Sequence, residues 1–245
     1  NYPPYEVGSY LLRDIIEINT PGTPTGTEIW AAGNNGISVW RSGQWVSYNT
    51  YDNPNGLISN DIYKFAVDSK GQIWVSTAAG LCRFNGSQFE TIMVPLSPGG
   101  KPLLPGKLAA ASDGSIFMAS SDTLYRFYYP IDNQEGQWQS WSFSSIYPDY
   151  PLSTYYPIYQ LETETLNGQL WLKFQAKDPN NNNQTFNVLV RYHDGNFTAY
   201  SEAEIPALKS LNTIPFIPGN SGDSCYFTCE VGFLECNLGS GNSNN

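Results

Sequence analysis

With 22 acidic against 12 basic residues in 245, the chain has a formal charge of -10. This excludes a polyanion such as nucleic acid as partner, because displacing its counterions takes clustered Lys and Arg. Aromatic residues make up 15% and charged ones 14%, with 22 Gly and 17 Pro, so the composition describes many short strands joined by tight turns. There is no apolar run long enough to span a bilayer as a helix, and Asn1-Tyr2-Pro3-Pro4 lacks the basic and apolar stretches of an export leader. Low Lys with abundant Asn, Ser, Thr, Tyr and Trp fits an extracellular, cell-surface or periplasmic protein.

In chain order, Tyr2 and Tyr5 come first, two aromatics three apart. The same spacing recurs as Trp45 and Tyr48, Phe89 and Ile92, Trp138 and Trp141, and Phe197 and Tyr200. Each of these later pairs closes one copy of a repeat. The first copy has an innermost strand from near Asp14, then Ile29-Trp30-Ala31-Ala32-Gly33 and Gly36-Ile37-Ser38-Val39-Trp40. The second runs Asn60-Asp61-Ile62-Tyr63-Lys64-Phe65-Ala66-Val67-Asp68, Gly71-Gln72-Ile73-Trp74-Val75-Ser76-Thr77, Gly80-Leu81-Cys82-Arg83-Phe84, then Gly86-Ser87-Gln88-Phe89. The third uses Gly114 to Ser120 and Leu124-Tyr125-Arg126-Phe127; the fourth, Gly168 to Phe174 and Leu189-Val190-Arg191-Tyr192. The fifth uses Cys225-Tyr226-Phe227-Thr228-Cys229 and Gly232 to Cys236, and stops at Leu238 without an outer strand.

The marker aromatics Trp30, Trp74, Phe117, Trp171 and Tyr226 recur at about the length of one propeller blade. The longer intervals contain insertions at Tyr128 to Gln134 and Asp178 to Asn183, which are expected at turns. Because the fifth copy lacks its outer strand, Tyr2 to Tyr5 is predicted to supply it, leaving no long sheet edge unpaired. Pro3 and Pro4 suit an outermost strand. The predicted fold is an all-β, five-bladed β-propeller of four-stranded antiparallel blades, closed by the N-terminal strand. It forms a single domain over residues 1–238, followed by a Gly/Ser/Asn-rich tail, 239–245.

The second copy, with Asn60-Asp61-Ile62, Asp68, Gly71, Ile73-Trp74-Val75-Ser76-Thr77 and Gly80-Leu81-Cys82-Arg83-Phe84, resembles the two-component regulator propeller repeat. The first copy keeps the pattern from Ile29 to Trp40. The resemblance implies a propeller fold and an extracytoplasmic location, in a family of sensor propellers with relatives in carbohydrate uptake and secretion. It places no ligand residue on this sequence.

Catalytic constellations are poorly supplied. His193 is the only histidine and sits in the turn Tyr192-His193-Asp194-Gly195, so neither a Ser-His-Asp nor a Cys-His arrangement is expected. Cys82, Cys225, Cys229 and Cys236 lack metal-ligand spacing, and no metal or cofactor is expected. Strand alternation is expected to put Cys225 and Cys229 on one face and Cys236 on the other, which leaves a disulfide and buried free thiols both open. Asp68, Asp113, Asn167 and Asp223, near the glycines of tight turns, read as turn-stabilising Asx residues.

The candidate ligand-binding residues are the charges on or near innermost strands, Arg13, Asp14, Asp61, Lys107 and Lys209, together with Tyr147, Tyr150, Tyr155 and Tyr156. The tyrosines belong to a Pro-rich loop between the third and fourth copies. Rigid amphipathic rings suit a sugar or protein partner, and packing of the loop against its own blades is the alternative. The expected function is a non-catalytic recognition or scaffolding module for a glycan, peptide or partner protein. The alternatives are a polysaccharide-cleaving enzyme using paired channel carboxylates such as Asp14, Glu17, Asp61 and Glu162, and a structural subunit of a surface assembly.

Overall fold

The structure, a computed structural model, describes residues 11–19, 26–51, 56–95, 107–119, 123–130, 135–148, 158–163, 170–178, 181–193, 195–210, 216–218, 224–229 and 232–237. It divides into two compact units, Asn1–Leu108 and Ala109–Asn245.

The strands form antiparallel meanders, one per sequence copy. The first sheet contains β1 (Leu12–Asn19), β2 (Thr27–Gly33), β3 (Gly36–Arg41) and β4 (Gln44–Tyr48). The second contains β5 (Ile62–Val67), β6 (Ile73–Thr77), β7 (Gly80–Phe84) and β8 (Phe89–Ile92). The third has β9 (Lys107–Ala110), β10 (Ile116–Ala119), β11 (Thr123–Tyr128) and β12 (Gln137–Ser142), followed by a short helix, α1 (Phe143–Ile146). The fourth has β13 (Ile158–Thr163), β14 (Leu170–Asp178), β15 (Asn181–His193) and β16 (Asn196–Ser201), followed by a 3-10 helix at Pro206–Ser210. The fifth has β17 (Phe216–Pro218), β18 (Ser224–Cys229) and β19 (Gly232–Asn237), three strands among the described residues. The predicted closing strand at Tyr2 to Tyr5 and the 239–245 tail lie outside the described residues.

The repeat is reproduced rung by rung. The rung between the second and third strands reads Ile29–Trp40, Ile73–Phe84, Ile116–Phe127, Leu170–Tyr192 and Cys225–Cys236 in successive sheets. One rung on, the marker aromatic faces Arg in three sheets, as Trp74–Arg83, Phe117–Arg126 and Trp171–Arg191. Each guanidinium lies over its ring, at 5.6, 5.9 and 5.9 Å from the centroid. These cation–π contacts let a charged side chain cover a large apolar one.

The turns follow the expected chemistry. Asp68 Oδ1 accepts from the backbone N–H of Lys70 and Gln72, both at 2.9 Å, and Oδ2 accepts from Trp74 Nε1 at 2.9 Å. Asp113 accepts from Ser115 N and from Arg126 Nη2, both at 2.8 Å. Gly36, at φ 96°, is held where a Cβ would come within 2.3 Å of the Tyr48 carbonyl, so the β2–β3 turn requires glycine there.

The Asn-rich insertion falls within the β14–β15 hairpin, as expected, and lengthens it, with Asp178 paired to Asn181 and Lys177 to Thr185; pairing satisfies backbone groups that would otherwise be left to solvent. Two details depart from the sequence reading. The segment after Trp141 turns into α1, whose N-cap Ser142 accepts from Ser145 N at 3.1 Å. Finally, Cys225 and Cys236 are direct register partners, and opposed residues of an antiparallel pair share a face. The expected separation of Cys236 onto the other face is therefore wrong, because the face is set by cross-strand register and not by parity along the chain.

Each unit has its own core between sheets. In the first unit, Trp30, Ala32, Ile37, Val39 and Tyr48 of the first sheet meet Phe65, Ile73, Val75, Cys82, Phe84 and Phe89 of the second. In the second unit, Ala109, Phe117, Ala119 and Leu124 meet Leu170, Leu172, Phe174, Val188 and Tyr192, and Phe143 and Ile146 of α1 close the seam. Cys82 is fully buried, and desolvation pushes its thiol up to about 11. That makes it an inert core residue.

Candidate recognition site

Three of the strands that open a sheet, β1, β5 and β13, share an irregularity. Their registers shift between Leu12 and Asp14, between Ile62 and Lys64, and between Ile158 and Gln160. One residue is thereby lifted out of each ladder: Arg13, Tyr63 and Tyr159. Bulges of this kind re-aim side chains and recur beside binding sites.

In the first unit the two bulged residues meet. The Arg13 guanidinium lies 4.8 Å from the Tyr63 ring centroid. Its Nη1 is 2.5 Å from Asp61 Oδ1 and donates to the Ile62 carbonyl at 3.2 Å. Tyr63 Oη lies 3.5 Å from Asp61 Oδ2. Beside them, Asp14 Oδ1 is 3.3 Å from Lys64 Nζ, and Asp14 Oδ2 accepts from Phe65 N at 2.7 Å. Residues of β1 thus hold the start of β5 through two ion pairs, a backbone acceptor and a backbone donor. The Asp61 and Lys64 side chains remain 38% and 37% exposed, so the cluster is accessible.

At the opposite ends of β1 and β5 the two sheets part into a cleft of about 910 Å³, lined by Glu17, Asn19, Arg41, Lys70, Gln72 and Asn85 among others. Its inner wall is the buried Glu28, which accepts from Arg41 Nε at 2.5 Å, Arg41 Nη2 at 3.0 Å and Trp30 Nε1 at 3.0 Å. Hydrogen bonds to the Glu28 carboxylate raise the Arg41 pKa and keep the guanidinium charged.

Among the residues predicted from the sequence, Arg13, Asp14 and Asp61 come together in one cluster. Lys107 opens β9 at a half-buried position, and Lys209 is exposed in the 3-10 helix. Tyr147 is half-buried as the C-cap of α1, its ring 6.4 Å from Phe174, so it packs against its own unit. Tyr150, Tyr155 and Tyr156 lie outside the described residues, as does the side chain of Glu162. Sequence reasoning missed Tyr63; it flanks Asp61, but only strand pairing reveals the bulge. The Glu28–Arg41 pair was missed as well. Their places at the start of β2 and the end of β3, beside a marker Trp, were the available signal.

Residues 56–79 match the family model described as two component regulator propeller. The chain carries a two-component regulator propeller repeat. Its propeller is similar to the extracellular domain of a hybrid two component system from B. thetaiotaomicron, at 16% identity and TM-score 0.57 over 92% of this chain and 27% of that one. It is also similar to PorZ, a surface component of the type-IX secretion system of Porphyromonas gingivalis, at 14% identity and TM-score 0.53 over 92% of this chain and 32% of that one. A streptogramin B lyase aligns at 15% identity and TM-score 0.54, over 94% of this chain and 74% of that one. No curated protein matches the chain. The chain spans about a quarter to a third of the first two proteins. These likenesses establish the β-propeller fold, which serves an extracellular domain of a two component system, a secretion component and a lyase alike.

Proposed function

We propose that this propeller is a non-catalytic, extracytoplasmic recognition module that binds a neutral glycan or a peptide where β1 and β5 begin. The observation that carries this reading is the charge balance of the bulged cluster: Arg13 is matched by Asp61 and Lys64 by Asp14, beside the Tyr63 ring. Such a surface offers oriented acceptors, donors and an aromatic platform without net charge, which suits hydroxyl and amide groups better than an ion. Likeness to the extracellular domain of a two component system and to a bacterial surface component supports the location.

Screening the whole chain against glycan and peptide arrays tests the proposal. A ligand found there is expected to lose at least about tenfold in affinity, roughly 1.4 kcal/mol, with Tyr63→Ala. Full retention by a Tyr63→Ala, Asp61→Asn double variant would place the site elsewhere. Ala variants of Tyr150, Tyr155 and Tyr156 then test the loop expected from the sequence.

A further inference from the structure

One rung of the repeat changes its chemistry in the last sheet. Four sheets place an aliphatic residue opposite an aromatic one, as Ile29–Trp40, Ile73–Phe84, Ile116–Phe127 and Leu170–Tyr192. The fifth places Cys225 opposite Cys236. Two small residues at this rung forfeit much of the apolar area that the other four rungs supply. A covalent link would restore what holds the strands together. We propose that Cys225 and Cys236 form a cross-strand disulfide that locks β18 to β19.

Register and reach single out this pair. Opposed residues of antiparallel strands have Cα atoms about 4.5–5.5 Å apart, within the roughly 4.4–6.8 Å a disulfide spans. Cys229 is four residues along β18 from Cys225, about 13 Å at the usual strand rise. It pairs with Gly232, four residues from Cys236, so it is out of reach of both. Cys82 belongs to the second sheet, opposite Val75 and Thr91.

The inference rests on the extracytoplasmic reading, since such bonds persist in oxidising compartments. The chemistry is ordinary exchange with a small-molecule or protein disulfide. One cysteine thiolate attacks that disulfide and expels a thiolate. The second cysteine, having lost its proton, then attacks the mixed disulfide and expels the other, so the oxidant leaves as two thiols.

The full chain, reduced and unfolded, is refolded in a buffer of reduced and oxidised glutathione, alkylated without reduction, and cleaved after Glu230, which puts Cys225 and Cys229 on one peptide and Cys236 on another. The expected product is those two peptides joined, lighter by two hydrogen atoms than the reduced pair, with the alkyl group on Cys229. Cys229→Ser should keep the link, and Cys225→Ser should leave Cys236 alkylated. Alkylation of both Cys225 and Cys236 in the folded wild type, or a link through Cys229, would overturn the proposal. Because oxidation is done in buffer, that failure is independent of export. A chain that forms the link in buffer but is recovered reduced from the cytoplasm of its own cells would overturn only the location.

Discussion

The two units fill the seam between neighbouring sheets in different ways on one strand register. In the first unit the seam is aromatic: Trp30 stacks on Tyr48 at 5.8 Å and meets Phe65 and Phe84 edge-on at 6.2 and 5.1 Å. In the second, Ala109, Ala111 and Ala119 pack with Leu170, Leu172 and Phe174, while Phe117 meets Tyr192 at 5.3 Å and Phe143 meets Phe174 at 5.5 Å. Both fillings give close packing: rings tilted against rings, or small residues set among large ones. The repeat therefore fixes which positions face a seam, and volume complementarity decides what occupies them.

The largest expected effect breaks the aromatic seam. Trp30 is fully buried, and Trp30→Ala should cost about 3–5 kcal/mol, read as a lower urea midpoint. A loss below about 1 kcal/mol would show that the surrounding rings collapse into the space, contrary to close packing of rigid side chains.

Next in size is a position two residues beyond the marker aromatic. There the first unit carries Ala32 and Ser76, and the second carries Ala119 and Lys173. Lys173 is 2% exposed, and desolvation lowers its pKa to about 8 from 10.5, with Glu202 nearby opposing the shift. Between these two values the unfolded chain binds more protons than the folded one, so stability should rise with pH across that window and be lowest below about pH 8. The full rise is roughly 3 kcal/mol at about 1.4 kcal/mol per pKa unit. Denaturation at pH 7 and pH 10 captures most of it, and Lys173→Met should abolish the difference.

A smaller effect contrasts the two sheets of the first unit. The Trp74 indole donates to Asp68, six residues upstream, whereas the Trp30 indole donates to Glu28, two residues upstream. Asp68 also holds two backbone N–H groups of the β5–β6 turn. Asp68→Ala should cost about 1–3 kcal/mol by leaving these donors without their acceptor. Asp68→Asn, which keeps an acceptor, should recover part of it.

The strands were readable from the sequence because Trp, Gly and Asx residues recur with a fixed spacing that turn chemistry enforces. Asp68 and Asp113 behave as that chemistry requires. What escaped depended on partners distant along the chain. Lys173 lies on a strand whose own sequence cannot show that both faces are covered. Tyr63 is lifted by a bulge that exists only relative to β6. Cys236 was assigned to the wrong face because cross-strand register, and not parity along the chain, decides which face a residue takes. Within the candidate site, Arg13, Asp14 and Asp61 were legible as charges on innermost strands, but their mutual pairing was not, since it joins residues about fifty positions apart.

The smallest expected effect on stability separates two roles for that cluster. Arg13 links β1 to β5 through Asp61 and the Ile62 carbonyl, and its side chain keeps 27% of its exposure. Solvent screens such a pair, so Arg13→Ala should cost no more than about 1 kcal/mol in urea denaturation. If the cluster is only a staple, that small loss is its whole effect. If it is a recognition surface, the same variant should also weaken binding to an array-identified ligand by about tenfold or more, because the ligand meets an uncompensated Asp61 and a Tyr63 ring without its guanidinium neighbour. A normal affinity combined with a stability loss of several kcal/mol would reverse both assignments. The cluster would then be a buried strut, and the search for the ligand would move to the cleft at the other end of the same strands.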